Sequence, residues 1–177
     1  MKEIDHLRYP IGKFKPPKEY TDELREGFIS EIEEAPFYLR QAVENLNEEQ
    51  LNTPYRAGGW NVEQVIHHIP DSHMNAYIRT KLALTEKEPV IKPYDQDAWA
   101  QLEDYSTTPV ETSLKLLDAI HERWVILLKS LSRDQFERTM RHPEIGIINI
   151  NWLLAQYAWH GKHHLGQINS LKQRMGW

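Results

Sequence analysis

The sequence predicts an all-α fold, a four-helix bundle with an extended N-terminal arm and a short β-hairpin before the last helix. Three observations predict it. Four long segments repeat apolar residues at spacings of three and four. Prolines and glycines punctuate the stretches between them. One brief segment, RHPEIGIINI, carries strand character instead. At 177 residues, a single domain over residues 1–177 can bury a sizeable core.

The arm runs to about residue 19. Pro10, Gly12, Pro16 and Pro17 keep it from forming an element, while Tyr9, Ile11 and Phe14 give it apolar groups to lay on a surface. Helix one spans roughly residues 21 to 46. Thr21 can cap it, Asp22 and Glu23 make an acidic first turn, and Leu24, Phe28, Ile32, Leu39 and Val43 lie along its stripe. Pro36 falls inside that stripe and is expected to kink or break the helix. After the connector NEEQLNTPYRAGG, helix two opens at Trp60 or Asn61, with Asn61 as its cap, and runs to about Thr85. Pro70 is expected to kink it near His67 and His68.

Residues 86 to 108 hold Pro89, Pro93 and a short helix near 95 to 102. Helix three begins near Pro109, with Thr108 as N-cap and the proline at the first position. Its stripe is Leu114, Leu117, Ile120, Trp124, Leu127, Leu128 and Leu131. Residues 132 to 138 read as one short helical turn. In the hairpin, Pro143 to Gly146 form the turn and Ile147, Ile148 and Ile150 the strand. Helix four runs from about Asn151 to Met175 and stops at Gly176. The long connections on either side of helix three leave the order of helices around the bundle open.

Composition narrows the function. Forty per cent hydrophobic and 27% charged residues describe a globular chain, and no apolar run approaches a membrane span. The first residues lack the apolar stretch of a secretory signal. The absence of cysteine excludes disulfides and thiolate metal sites and suits a cytoplasmic location. A net charge of -5, with no long basic run, argues against nucleic acid as a partner.

Histidine stands out. There are nine, and two clusters, His67/His68/His73 and His160/His163/His164, hold most of them. His160 and His164 are four apart, so they share one helical face with Leu153, Tyr157, Ile168 and Leu171. That face points into a bundle, where two imidazoles can reach one ion. His163 is turned about 100° away. A third ligand must come from helix two, and periodicity does not choose between His67 and His68. A lone inward histidine is more often a hydrogen-bonded core residue than a ligand, and position 161 is glycine where a zinc-protease helix carries glutamate. Tyr55, Arg56 and Trp60, at the entry to helix two, are candidates to line a pocket mouth that binds substrate. Gln64, Asp71 and Gln156, with Glu63, are candidates to fix a histidine tautomer from behind.

Taken together, the segments RYPIGKFKPP, PYRAGGWNVEQVIHHIPDSHMNAYIR, IKPYDQDAW and YAWHGKHHLGQINSLKQRMGW resemble the DinB-like superfamily, specifically its YfiT-like branch of bacillithiol S-transferases and metal-dependent hydrolases. The match spans nearly the whole chain. The resemblance implies a four-helix bundle, a homodimer in the cytoplasm, and one divalent metal per subunit, zinc or nickel foremost, held by His68, His160 and His164. It selects His68 because the family's ligand stands eight residues after the tryptophan that opens helix two, here Trp60. Pro70 departs from the family pattern.

Three neutral imidazoles leave a cation open to a further ligand, as in catalytic rather than structural sites. Two reactions follow. A coordinated thiol, with bacillithiol as co-substrate, attacks an electrophilic small molecule. Alternatively, activated water hydrolyses a substrate. A third reading is a non-catalytic metal-binding stress protein, with His67, His73 or His163 closing the coordination sphere. The lack of cysteine means that any thiol chemistry must import its thiol.

Overall fold

The computed structural model describes residues 6–177. Residues 1–5 of the predicted arm lie outside the described residues. Four long helices carry the architecture: α1 (Asp22–Val43), α3 (Val62–Thr85), α6 (Val110–Lys129) and α8 (Ile150–Met175). Between them lie single turns, α2 (Glu48–Leu51), α4 (Gln96–Trp99), α5 (Asp104–Thr107) and α7 (Arg133–Phe136). A hairpin of β1 (Thr139–His142) and β2 (Gly146–Asn149) precedes α8, with Met140 paired to Ile148. Gly146 has φ 84°, a left-handed conformation that glycine adopts without steric cost.

The helix ends follow from local chemistry. Thr21 accepts from the Leu24 N–H, and Asn61 and Gln64 form a reciprocal capping box that starts α3. Asn149 accepts from the Trp152 N–H at the start of α8, and left-handed Gly176 ends it. One end differs from expectation. Pro109 itself takes the cap position of α6, and no side chain caps it. With Thr108 extended, the Thr112 N–H donates to the Pro109 carbonyl at 2.8 Å. Pro36 and Pro70 do not break their helices, which run through both. A helix-interior proline costs about 3 kcal/mol, so packing must hold these turns in place.

Around the bundle, α1 packs against α8 and α6, and α3 packs against α6 and α8. The successive long helices α1 and α3 therefore lie diagonally opposite. The arm is laid along α8: Phe14 meets Trp152 edge-on at 5.5 Å, and the Trp159 indole N–H donates to the Gly12 carbonyl. Gly166 admits it, since a Cβ there would come within 3.1 Å of Ile11.

The core is not continuous. One apolar cluster includes Ile29, Ile32, Ala76, Trp124, Leu128 and Leu153. A second includes Leu39, Val65, Ile66, Leu117, Ile168 and Leu171. On α3, α6 and α8 the switch from one to the other occurs where buried histidines stand: His68 and His73, then His121, then His163 and His164. A polar layer thus crosses the middle of the bundle. At its edge the Trp124 indole N–H donates to the Thr80 hydroxyl at 3.1 Å, both side chains fully buried. We expect Thr80→Val to keep the shape but strand that N–H, costing about 1–3 kcal/mol. Urea unfolding of the two proteins measures it.

Candidate metal centre

α3 and α8 cross so that the adjacent turns carrying His68 and the pair His160/His164 face one another. His160 Nε2 lies 3.3 Å from His68 Nε2 and 3.2 Å from His164 Nε2. Ring nitrogens of all three fall within 4.8 Å of one another, among the described residues the one such group of three. The Trp60 ring covers His68 with centroids 4.7 Å apart, and Tyr157 flanks His160. Gly161 lets α8 approach α1, its Cβ position lying 3.4 Å from Ala35 and 3.9 Å from His73.

The hydrogen bonds fix which nitrogen of each ring carries the proton. The Ile32 carbonyl can only accept, so the His121 Nδ1 at 2.5 Å donates to it. Neutral His121 then accepts at Nε2 from His73 Nδ1, 2.8 Å away. His73 in turn accepts at Nε2 from His160 Nδ1, 3.1 Å away. His160 is left with a bare lone pair on Nε2, inside the cluster. On the other side, the Gln167 amide N–H donates to the Arg8 carbonyl, which turns its oxygen toward His164 Nδ1 at 2.9 Å. His164 therefore also presents a bare Nε2.

Burial keeps these rings neutral. It pushes His68 down to about 3 and His121 down to about 4, and lowers His73, His160 and His164 well below the usual imidazole range. Two lone pairs facing each other at 3.2 Å call for a cation between them. His68, whose Nδ1 is buried without a partner, can offer one proton to one of them at most. Nitrogens bound to one tetrahedral zinc at about 2.0–2.1 Å sit roughly 3.3–3.4 Å apart, so the spacing fits the donor set.

The other predicted residues divide. His67 turns away to the Ser113 hydroxyl at 2.7 Å, which separates it from the cluster as periodicity could not. His163 stacks on Trp159 with centroids 4.5 Å apart and accepts from Gln167. Gln64 bonds the Asn61 backbone and the Ala100 carbonyl, and Asp71 accepts from Tyr105, so neither backs a cluster histidine. Gln156 lines a cavity instead. The residues behind the rings are His73, His121 and Gln167. His121 was legible as a histidine in the apolar row Leu114, Leu117, Trp124 and Leu128. Gln167 was legible as the polar residue one turn beyond His164.

Two cavities reach the cluster. One of about 640 Å³ runs from His160 past Tyr157, Trp152 and Tyr94 to Arg79. The other, about 340 Å³, holds Tyr55, Arg56 and Trp60 with Arg8, and is floored by His160 and His164. Of the three clustered histidines, His160 keeps exposed surface, and it lines both cavities.

The buried neutral histidines make the metal-free protein acid-sensitive. Unfolded, each ring titrates near 6.5, and folded, His121 and His68 titrate at about 4 and about 3. The unfolded chain binds more protons between these values, so stability is full above about pH 6.5 and falls as the pH drops toward 4. Each such ring contributes up to about 1.4 kcal/mol per pH unit in that window. The urea midpoint of chelator-treated protein should hold from pH 8 to 7 and fall steeply by pH 5. A flat midpoint would show that the rings are not held neutral.

Residues 31–168 match the DinB superfamily. A Bacillus cereus protein named "Putative metal-dependent hydrolase" is 51% identical over 174 residues, covering 98% of this chain and 100% of that one. A protein of the same name from Oceanobacillus iheyensis is 55% identical over 170 residues, covering 96% and 98%. The solved structure of YfiT from Bacillus subtilis, described as "a probable metal-dependent hydrolase with an unusual four-helix bundle topology", matches with a TM-score of 0.95 and 48% identity over 97% of this chain and 99% of that one. Sequence, fold and helix order agree, and the chain belongs to the DinB superfamily.

Proposed function

We propose that this protein is a metal-dependent S-transferase that joins a small thiol, bacillithiol, to electrophilic small molecules, with one zinc or nickel ion held by His68, His160 and His164. The observation that carries this reading is the pair of cavities meeting at His160. A transfer between two molecules needs two binding spaces that share one reactive point. A divalent cation there supplies Lewis acidity, which holds a thiol as its thiolate and brings water to a pKa of about 7.

The chain's own residues divide the work. Arg8 and Arg56 give the smaller cavity positive charge beside the aromatic faces of Tyr55 and Trp60. That suits a polar thiol bearing carboxylates, which guanidinium groups bind through paired hydrogen bonds. The larger cavity sets the aromatic faces of Tyr94, Trp152 and Tyr157 beside polar groups that include Arg79, His142 and Glu144, which suits an electrophile with both an apolar and a polar part. The thiol would give up its proton to solvent, its sulfur would bond to the electrophilic carbon, and the leaving group would depart with the displaced electron pair. Holding both partners against one edge of His160 supplies proximity.

Hydrolysis is the second reading, and the names of the relatives favour it. A closed, non-catalytic site needs a fourth protein ligand. Among the described residues no fourth histidine or carboxylate joins the three within 4.8 Å, which speaks against it.

Metal-loaded protein mixed with bacillithiol and a monohalobimane should form conjugate faster than the protein-free mixture. A rate equal to that of the mixture, together with turnover of an ester or amide panel, would favour the hydrolase. Metal analysis tests the ligands separately. His68→Ala should lose more affinity than the roughly 10–100-fold that outer partners cost, and His67→Ala should keep one ion per chain.

A further inference from the structure

Pro36 stands on the buried face in the middle of α1, where no turn or helix end needs it. Its consequence lies four residues back. A proline has no N–H, so the Ile32 carbonyl loses its α-helical donor, and the ring pushes that carbonyl away from the helix axis. A buried carbonyl needs a partner. The partner is His121 Nδ1 on the neighbouring α6, at 2.5 Å. From there the directed bonds run His73 to His121 at 2.8 Å and His160 to His73 at 3.1 Å. The chain crosses all four long helices in turn, from α1 to α6 to α3 to α8. Its direction is set at one end, where a carbonyl can only accept.

We propose that Pro36 is a positioning residue for the metal centre: by releasing the Ile32 carbonyl to His121, it orders the His121–His73–His160 chain and turns the His160 Nε2 lone pair toward His68 and His164. This rests on the three-histidine cluster being a metal site, and not on whether that site transfers thiols or hydrolyses. It gives His73 and His121 a role as orienting groups behind a ligand, and it explains why a helix breaker is kept at a packed helix contact. His164 is an internal control, because Gln167 holds it independently.

Pro36→Ala is the informative variant, since it restores a helical N–H that competes for the same carbonyl and has no reason to unfold α1. Two readouts are needed. Imidazole nitrogen-15 shifts of metal-free protein report tautomers without any metal. Competition with a chelator reports zinc or nickel affinity. The native protein should show His121, His73 and His160 protonated on Nδ1. Pro36→Ala should mix the tautomers of all three, leave His164 unchanged, and weaken metal binding roughly 10–100-fold while the urea midpoint stays level or rises. His121→Phe should give the same loss, and His121→Gln, which can donate and accept along the same line, should recover part of it. Native tautomers and native affinity in Pro36→Ala would overturn the proposal, as would Nε2 protonation of His160 in the native protein. If the native protein binds no metal yet the tautomers still shift in Pro36→Ala, the metal reading fails and the orienting chain stands.

Discussion

A buried imidazole in a helix bundle must place both of its nitrogens, and that requirement organises the middle of this molecule. Each neutral ring has one donor and one acceptor, and the low dielectric makes an unplaced one costly. The histidines of the central layer are therefore not independent. Once His121 donates to the Ile32 carbonyl, the protons of His73 and His160 are determined by elimination. The last nitrogen in the line has His68 alone to receive from, and that ring has a single proton to give. The same last nitrogen faces the bare nitrogen of His164, itself fixed by Gln167. The bundle spends hydrogen bonds to create a concentrated pair of lone pairs, an arrangement that makes sense as a cation's donor set.

The same requirement shapes the packing. Two apolar clusters flank the layer, and the helices switch from one to the other near their midpoints. The diagonal placement of α1 and α3 matters here. With α6 and α8 on either side of α3, His73 meets both His121 and His160. An up-down neighbour order would put α1 between them. The arm adds a further tie, because the Arg8 carbonyl that orients Gln167 belongs to it.

Much of this was legible in the residues, and the limits have physical reasons. Spacings of three and four located the four helices, and Thr21, Asn61 and Gly176 marked ends by chemistry that acts within one turn. The inward pair His160/His164 followed from one helical face. What failed was what depends on a partner from another helix. Asp71 and Gln64 looked equally able to back a histidine, yet Asp71 serves Tyr105 and Gln64 serves its own helix cap. His67 and His68 differ by one residue, and only the packing of α8 and α6 separates them. Pro36 does not break its helix, for a related reason. Local propensity says that Pro36 interrupts a helix, and tertiary packing carries the helix through and uses the carbonyl it frees.

The charge of such a site bears on what it accepts. Three neutral imidazoles bring no negative charge, so a divalent cation held there would keep its full double charge in a poorly solvated interior. The smaller cavity adds Arg8 and Arg56, set against Asp97, the one carboxylate on its wall among the described residues. Under the proposed transfer the most favourable added ligand would be an anion, and a thiol bearing carboxylates would suit both charges at once. Hydroxide would suit the first alone, and Arg56 would keep its bonds to the Tyr55 hydroxyl and the Ala57 carbonyl. A hydrolase built on this chain would need a substrate anion to employ the arginines, whereas a transferase obtains that anion from its own co-substrate.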